Sequence, residues 1–406
     1  MLLLLVYGCA AAQPLAADGG WARPTALPMA STRAPNAAPA AGPTERAVAS
    51  VAVVALPDKV ELVWADQEGV WVSGSPVAGP SEAHLTGQEL LPGQMRMLAS
   101  AEGVRQVNAG APAGELAVAW AQRDRLTGRY HHFLWWRGTV SPLLDDPLEV
   151  RFDFVSVAGV PYAAAALRSA GAARLTLLPL AGGDRVVLHT TELSVRGVTY
   201  AQSDDGGLWL AWLEGKTERT ELGLNAEWDA FALFVAPSGA ASSVLKLGSA
   251  DVSDERQRAA IGAAPGGAVV AWSDEDANLR AALLAIDGDA AEGGATTVLA
   301  THASEAGRLP EPGRLLAVAW PYVYLVDGTT FKRLHAPTLL EQPVGAVAVT
   351  NLLWSPVTVE GAEFSHAAAD APHAIAWFGR EEGGAVRLFA SDDRAPMRVT
   401  WRDGLA

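Results

Sequence analysis

From about residue 47 the chain alternates short apolar runs with polar turns. VELVWA (60–65), LAVAWA (116–121), YAAAAL (162–167), LWLAWL (208–213), AVVAWS (268–273), YVYLVD (322–327) and HAIAWF (373–378) are almost wholly apolar. Runs of this kind read as strands covered on both faces. Most follow a Gly-containing turn and lead through a polar turn into a second strand, as in RYHHFLWW, ARLTLLPL, DAFALFVA, LRAALLAI and AVRLFAS, then into a further run such as VVLHT or TTVLA. Each unit is therefore a hairpin with additional flanking strand.

The spacing sets the architecture. The fifth residues of the seven runs are 64, 120, 166, 212, 272, 326 and 377, at intervals of 56, 46, 46, 60, 54 and 51 residues. A period near 50 with about four strands per unit predicts an all-β fold, a β-propeller of four-stranded blades. One such unit cannot bury both sheet faces alone, whereas blades packed around an axis can. Seven units are counted, with six or eight as alternatives. An irregular sandwich or two smaller β domains would call for a linker, and no Pro/Gly-rich stretch divides the region after residue 47.

Composition narrows the partners. Of 406 residues half are hydrophobic and 18% charged, which supports a packed core and argues against disorder. With 30 basic and 45 acidic residues the net charge is −15, and no basic cluster stands out, so no nucleic-acid partner is expected. The single cysteine, Cys9, excludes an intrachain disulfide framework and any CxxC site.

The chain starts MLLLLVYGCAAAQPLAA. Its apolar run ending Val6-Tyr7-Gly8-Cys9 resembles the lipobox of bacterial lipoproteins. The resemblance implies cleavage before Cys9, lipid attachment to its thiol, and an extracytoplasmic domain anchored to a membrane of the cell envelope. Secretion after cleavage at Ala12 or Ala17 is the alternative. Residues 18–46 contain five prolines and no hydrophobic period, and so read as a tether. At about 3.1 Å per residue it would reach roughly 90 Å. The expected organisation is thus a signal segment over 1–17, a tether over 18–46 and the propeller over 47–406. No later apolar run reaches the roughly 20 residues of a membrane-spanning helix, so the lipid is the expected membrane contact.

The segment SDDGGLWLAW (203–212), with GGAVVAW and GELAVAW, resembles the Gly-aliphatic-Trp strands of sialidase-like propellers. Ser203-Asp204-Asp205-Gly206-Gly207-Leu208-Trp209 also approaches the Asp-box SxDxGxTW, but its Trp is one position early, the Thr is missing, and it precedes the second strand of its unit. The segment is read as a turn held by Asx hydrogen bonds, with no glycosidase activity inferred from it.

Chemical motifs are mostly missing. No GxSxG, HExxH, CxxC or GxG occurs, and GKT at 215–217 lacks the glycine a phosphate loop needs, since Leu210 stands there. No cofactor and no metal are expected. His131 and His132 are adjacent on a strand and point to opposite faces. His366, Asp370 and His373 fall in or beside one loop and read as solvated polar groups.

One constellation depends on the architecture. Turns between second and third strands emerge on the same face of a propeller as the blade-to-blade connections. They read ADQEG (65–69), AQRDRLTGR (121–129), LEGKTERTELGLNAEWD (213–229), SDEDAN (273–278) and FGREEGG (378–384), with RSAGAA (168–173) as the exception. The expected binding rim therefore comprises Asp66, Glu68, Arg123, Asp124, Arg125, Glu214, Lys216, Arg219, Trp228, Asp274, Asp276, Arg380 and Glu381. The fourth-unit turn is the dominant element, because it exceeds the length a hairpin needs and carries Trp228 as an apolar anchor. A second insertion, 351–372 with Trp354 and Phe364, is expected to join the first two strands of the last blade on the opposite face. The sequence reading is a monomeric, non-enzymatic, tethered β-propeller that binds a protein or glycan of the envelope. The alternatives are a sialidase-like glycoside hydrolase, with Arg123, Arg151, Arg256 and Arg314 as its arginines, and a structural scaffold.

Overall fold

The computed structural model describes residues 27–28, 45–46, 50–56, 59–65, 68–76, 95–146, 148–169, 171–220, 223–253, 257–287, 297–308, 314–328, 330–341, 349–354, 358–365, 374–380, 386–392 and 400–401. Among them are seven four-stranded antiparallel sheets, each made of four strands consecutive in sequence. The sheets span 50–100, 104–146, 153–191, 194–249, 260–308, 314–354 and 358–401, and are called blades 1 to 7. The first strand of each blade lies against the first strand of the next, and Thr358–Ser365 of blade 7 lies against Ser50–Ala55 of blade 1. The chain is a β-propeller. A closed ring leaves the inner strands as short edges that the neighbouring blades protect. Within the segment read as a tether, Leu27–Pro28 pairs with Glu45–Arg46 as a two-residue ribbon.

All seven apolar runs form second strands. Their burial explains their composition. Ala268, Val269, Val270, Ala271, Trp272 and Ser273 are consecutive and all buried, as are Leu208 through Leu213. Alternate residues of these strands enter different clusters. Leu208, Leu210 and Trp212 pack with Leu175 and Leu177 of blade 3, while Trp209, Ala211 and Leu213 pack with Ile261 and Val270 of blade 5. The core is thus a set of layers between neighbouring blades, and a polar residue on either face of a second strand would enter one of them.

Inner strands approach closely. A Cβ on Gly262 would lie 2.6 Å from the carbonyl oxygen of Val318, and one on Gly110 would lie 2.7 Å from Cβ of Phe154, so both positions exclude a side chain. Short polar side chains clamp the inner strands to the next blade. Ser50 Oγ accepts the Val107 N–H at 3.1 Å, Asn108 Oδ1 accepts the Phe152 N–H at 3.0 Å, and Thr199 Oγ1 donates to Ala259 O at 2.7 Å while accepting the Ile261 N–H at 3.2 Å. These bonds satisfy backbone groups that the blade ladders leave over.

Two loop expectations are corrected. Residues 213–229 are no loop: Leu208–Thr220 and Gly223–Val235 pair continuously from Leu208↔Val235 to Thr220↔Gly223. Where these strands outrun the blade their residues are mostly charged or polar, as in KTERT (216–220), a composition that mimics a polar loop. Most of 351–372 is strand as well. Val349–Trp354 closes blade 6 and Thr358–Ser365 opens blade 7, so Trp354 and Phe364 belong to strands of two blades. The acidic residues in TVEGAEFS hid that inner strand. His366, Asp370 and His373 lie outside the described residues.

Candidate functional site

On the side of the second-to-third-strand turns, backbone hydrogen bonds join blade connections to those turns or to the strands beside them: Ala101 N–H to Glu68 O at 3.3 Å, Ala250 N–H to Trp228 O at 2.8 Å, and Asp251 N–H to Ser273 O at 2.8 Å. The most prominent element on that side is the blade 4 hairpin. The second strand pairs with the inner strand as far as Gly215↔Ser194, and the third strand pairs with the fourth only from Asp229↔Ser249. The five pairs from Lys216↔Glu227 to Thr220↔Gly223 therefore form a two-stranded ribbon beyond the sheet. At about 3.4 Å per residue it projects roughly 17 Å.

An isolated two-stranded ribbon is marginal in water, so its base must be held. Trp228 stands opposite Gly215, where any Cβ would collide with the indole and with Glu227 O. The ring is 4% exposed, its Nε1–H donates to Thr217 Oγ1 at 3.0 Å, and the Arg196 guanidinium covers it at 4.8 Å. The expectation that Trp228 is a partner-facing anchor is thus corrected: it packs beneath the ribbon into the cluster that holds Leu213, Ala230 and Ala250, against a glycine whose missing side chain leaves room for the ring. Lys216–Glu227 (3.5 Å) and Lys246–Asp229 (2.8 Å) add exposed cross-strand pairs.

Glu214 is buried too, rather than displayed on the rim. Its Oε2 accepts from His189 Nε2 at 2.9 Å and from Trp212 Nε1 at 3.0 Å, so it ties the outer strand of blade 3 to the second strand of blade 4. Burial alone pushes its pKa up, but bonds from His189, Thr191 and Trp212 outweigh that and hold it below the usual value. A carboxylate with this many donors is a brace, and its lone pairs are already committed. Asp274 behaves alike in blade 5. It is 2% exposed, accepts the N–H groups of Asp276 and Asn278, and holds Arg280 Nε at 2.6 Å. Burial raises its pKa, while the Asn278 N–H and Arg280 bring it below normal.

The remaining rim positions divide in four. Glu68, Arg123, Arg125, Lys216 and Asp276 are exposed. Asp124 is half-buried, its Oδ1 accepting the N–H groups of Leu126 (2.7 Å) and Thr127 (3.2 Å), and those bonds lower its pKa. Arg219 stands opposite Leu224 in the ribbon, and Arg380 ends the second strand of blade 7 opposite Thr358. Asp66, Glu381 and Cys9 lie outside the described residues.

The neighbouring histidines separate as alternation predicts. His131 is exposed, bonded through Nδ1 to Asp145 Oδ1 at 2.7 Å, which raises its pKa. His132 is buried, its Nδ1 faces Leu144 O at 3.2 Å and its Nε2 accepts the Val150 N–H at 3.0 Å, a geometry that requires the neutral ring with its proton on Nδ1. Burial lowers its pKa. Among the described residues no group of three or more His, Cys, Asp or Glu side chains is placed to hold a metal. The turn at 203–207 is the expected Asx turn, with Asp205 Oδ1 accepting the Gly207 N–H at 2.9 Å.

No protein-family model matches the chain. No curated protein matches it in sequence. Solved propellers resemble it in shape. The β-propeller domain of the Trilobed protease from Pyrococcus furiosus is 8% identical, with a TM-score of 0.48 over 88% of this chain and 99% of that one. The WD40 domain of Toxoplasma gondii coronin is 11% identical, with a TM-score of 0.43 over 84% and 80%. A subtype N11 neuraminidase-like protein of a flat-faced bat influenza virus is 11% identical, with a TM-score of 0.39 over 84% and 95%.

Sequence reasoning missed His189 and Thr191, which reach Glu214 from the preceding blade, and three exposed leucines on the rim: Leu126, Leu148 and Leu193. A lone leucine in a polar turn carries no periodic signal, and the latter two join the rim only once blade connections are known.

Proposed function

We propose that this chain is a non-catalytic recognition module, tethered to a bacterial envelope membrane through a lipid on Cys9, whose working face is the rim bearing the blade 4 ribbon. Its ligand is a protein or glycan of the envelope. The observation that carries the reading is the ribbon itself. A hairpin needing two to five turn residues is extended by five residue pairs, and its base is braced by Trp228, Arg196 and Glu214. A projecting element held this firmly keeps one orientation, which lowers the entropy lost when a partner is engaged.

The test is capture of partners from envelope extract by three proteins. These are the wild type, a deletion of 216–227 closed by Asn-Gly between Gly215 and Trp228, and a control with Val160→Ser and Val244→Ser on the other rim. The deletion should lose partners that the control retains. The reverse result places the working face opposite. For the anchor, mass spectrometry should find an acylated peptide beginning at Cys9, and Cys9→Ser should release the domain; soluble wild type cleaved after Ala12 or Ala17 contradicts it.

A further inference from the structure

The described residues include nine exposed large apolar side chains, of which three are leucines: Leu126, 97% exposed, Leu148 and Leu193. All three lie on the rim of the ribbon. Leu126 tips the second-to-third-strand turn of blade 2, Leu148 lies in the connection from blade 2 to blade 3, and Leu193 lies in the connection from blade 3 to blade 4. The other six, Met97, Val140, Val160, Val186, Val187 and Val244, occupy outer strands or the opposite face.

The leucines sit on fixed backbone. Around Leu126 the Asp124 N–H donates to Arg129 O at 2.8 Å, Gly128 N–H donates to Asp124 O at 2.9 Å, and Asp124 Oδ1 holds the Leu126 N–H itself. Asp146 Oδ1 accepts the Leu148 N–H at 2.9 Å, and Thr191 Oγ1 accepts the Leu193 N–H at 3.1 Å. Each apolar side chain is therefore presented in water by a turn already ordered, so a partner that covers it loses little entropy in ordering the backbone.

Charge decides what kind of partner fits. The same arc exposes Arg123, Arg125, Arg129, Arg168 and Arg174 in a chain of net charge −15. Among the described residues Arg125, Arg168 and Arg174 make no ion pair or side-chain hydrogen bond. Of the neighbouring carboxylates, Asp124 and Asp146 are engaged on backbone N–H groups and Asp145 on His131, while Glu192 beside Leu193 is exposed. Arginine is enriched at protein–protein interfaces, and its planar guanidinium group pairs with a carboxylate through two bonds at once.

We infer that the rim of blades 2 to 4 docks a polypeptide segment in which aliphatic side chains alternate with carboxylates: the leucines seat the aliphatic groups and the arginines hold the acids. The inference rests on the rim being the working face and narrows its ligand from protein or glycan to an acidic, apolar protein segment.

A phage-displayed library of random peptides selected on the full chain tests it, followed by fluorescence anisotropy of the enriched peptides and a glycan array run in parallel. The enriched peptides should carry excess Asp and Glu together with Leu, Ile, Val or Phe. Leu126→Ser should weaken their binding about tenfold or more, the loss expected for one seated leucine, and Arg168→Ser with Arg174→Ser should weaken it again. All three side chains are exposed, so the fold is not at stake. Enrichment of basic or uncharged peptides, or acidic peptides indifferent to these substitutions, overturns the inference. Glycan binding that is lost on ribbon deletion, with no peptide selected, keeps the rim as the working face and also overturns the inference. Ligands of either kind that ignore every rim substitution overturn both.

Discussion

Removing Glu214 should loosen the seam between blades 3 and 4 and the root of the ribbon. In Glu214→Ala the Trp212 indole, fully buried, loses its acceptor, and a buried donor left without a partner costs about 1–3 kcal/mol. His189 loses its partner as well but is still 20% exposed, so water recovers much of that bond and about 1 kcal/mol is added at most. The expected total is about 1–4 kcal/mol. Glu214→Gln keeps an oxygen for Trp212 and should cost about 1 kcal/mol. Urea unfolding followed by tryptophan fluorescence measures both, and a cycle with His189→Ala should give a coupling of about 1 kcal/mol. The pH dependence has a fixed sign. The folded-state pKa of Glu214 lies below its ordinary 4.5, so its contribution is complete above that value and fades as the pH falls through the folded pKa. The gap between wild type and Glu214→Gln should narrow in acid. A Glu214→Ala variant as stable as wild type, or a coupling of zero, refutes the brace.

Further outcomes follow from other sites. Deleting 216–227 should cost about 1–3 kcal/mol, since it removes the Thr217 acceptor of the buried Trp228 indole while Lys216, Thr217, Ala226 and Glu227 are themselves exposed; a collapse of the cooperative melt would show that the ribbon supports the fold. Gly262→Ala should destabilise by about 1–3 kcal/mol, because the methyl meets the Val318 backbone, and an unchanged melting temperature contradicts the close approach of blades 5 and 6. His132, with its pKa lowered by burial, should hold stability above about pH 6.5 and lose it as the pH falls through the folded value. His131, raised by Asp145, has the opposite sign, its contribution fading as the pH rises through its folded value. Titration of each ring by NMR checks both directions, and matching shifts would contradict them.

The architecture was legible because a second strand buried between two blades tolerates almost no polar residue, so LWLAWL and AVVAWS announce themselves. Neighbouring His131 and His132 separated as strand alternation requires. The site was harder to read. The stretch 213–229 looks like a loop because an exposed ribbon needs no apolar alternation, and its two strands extend past every neighbour that would have imposed one. Trp228 looked like an anchor for a partner because nothing local marks Gly215, thirteen residues earlier, as the position it covers. The brace at Glu214 draws His189 from another blade, and the leucine row joins a turn to two blade connections. Pairings of that kind exist only after the ring has closed.

The most direct test of the rim as the working face is amide hydrogen exchange of the full chain with and without its captured partner. Slowed exchange in 124–129, around 192–193 and along 216–227 is the predicted footprint. Protection confined to the opposite rim, at 158–159, 203–207 and 237–244, would contradict it.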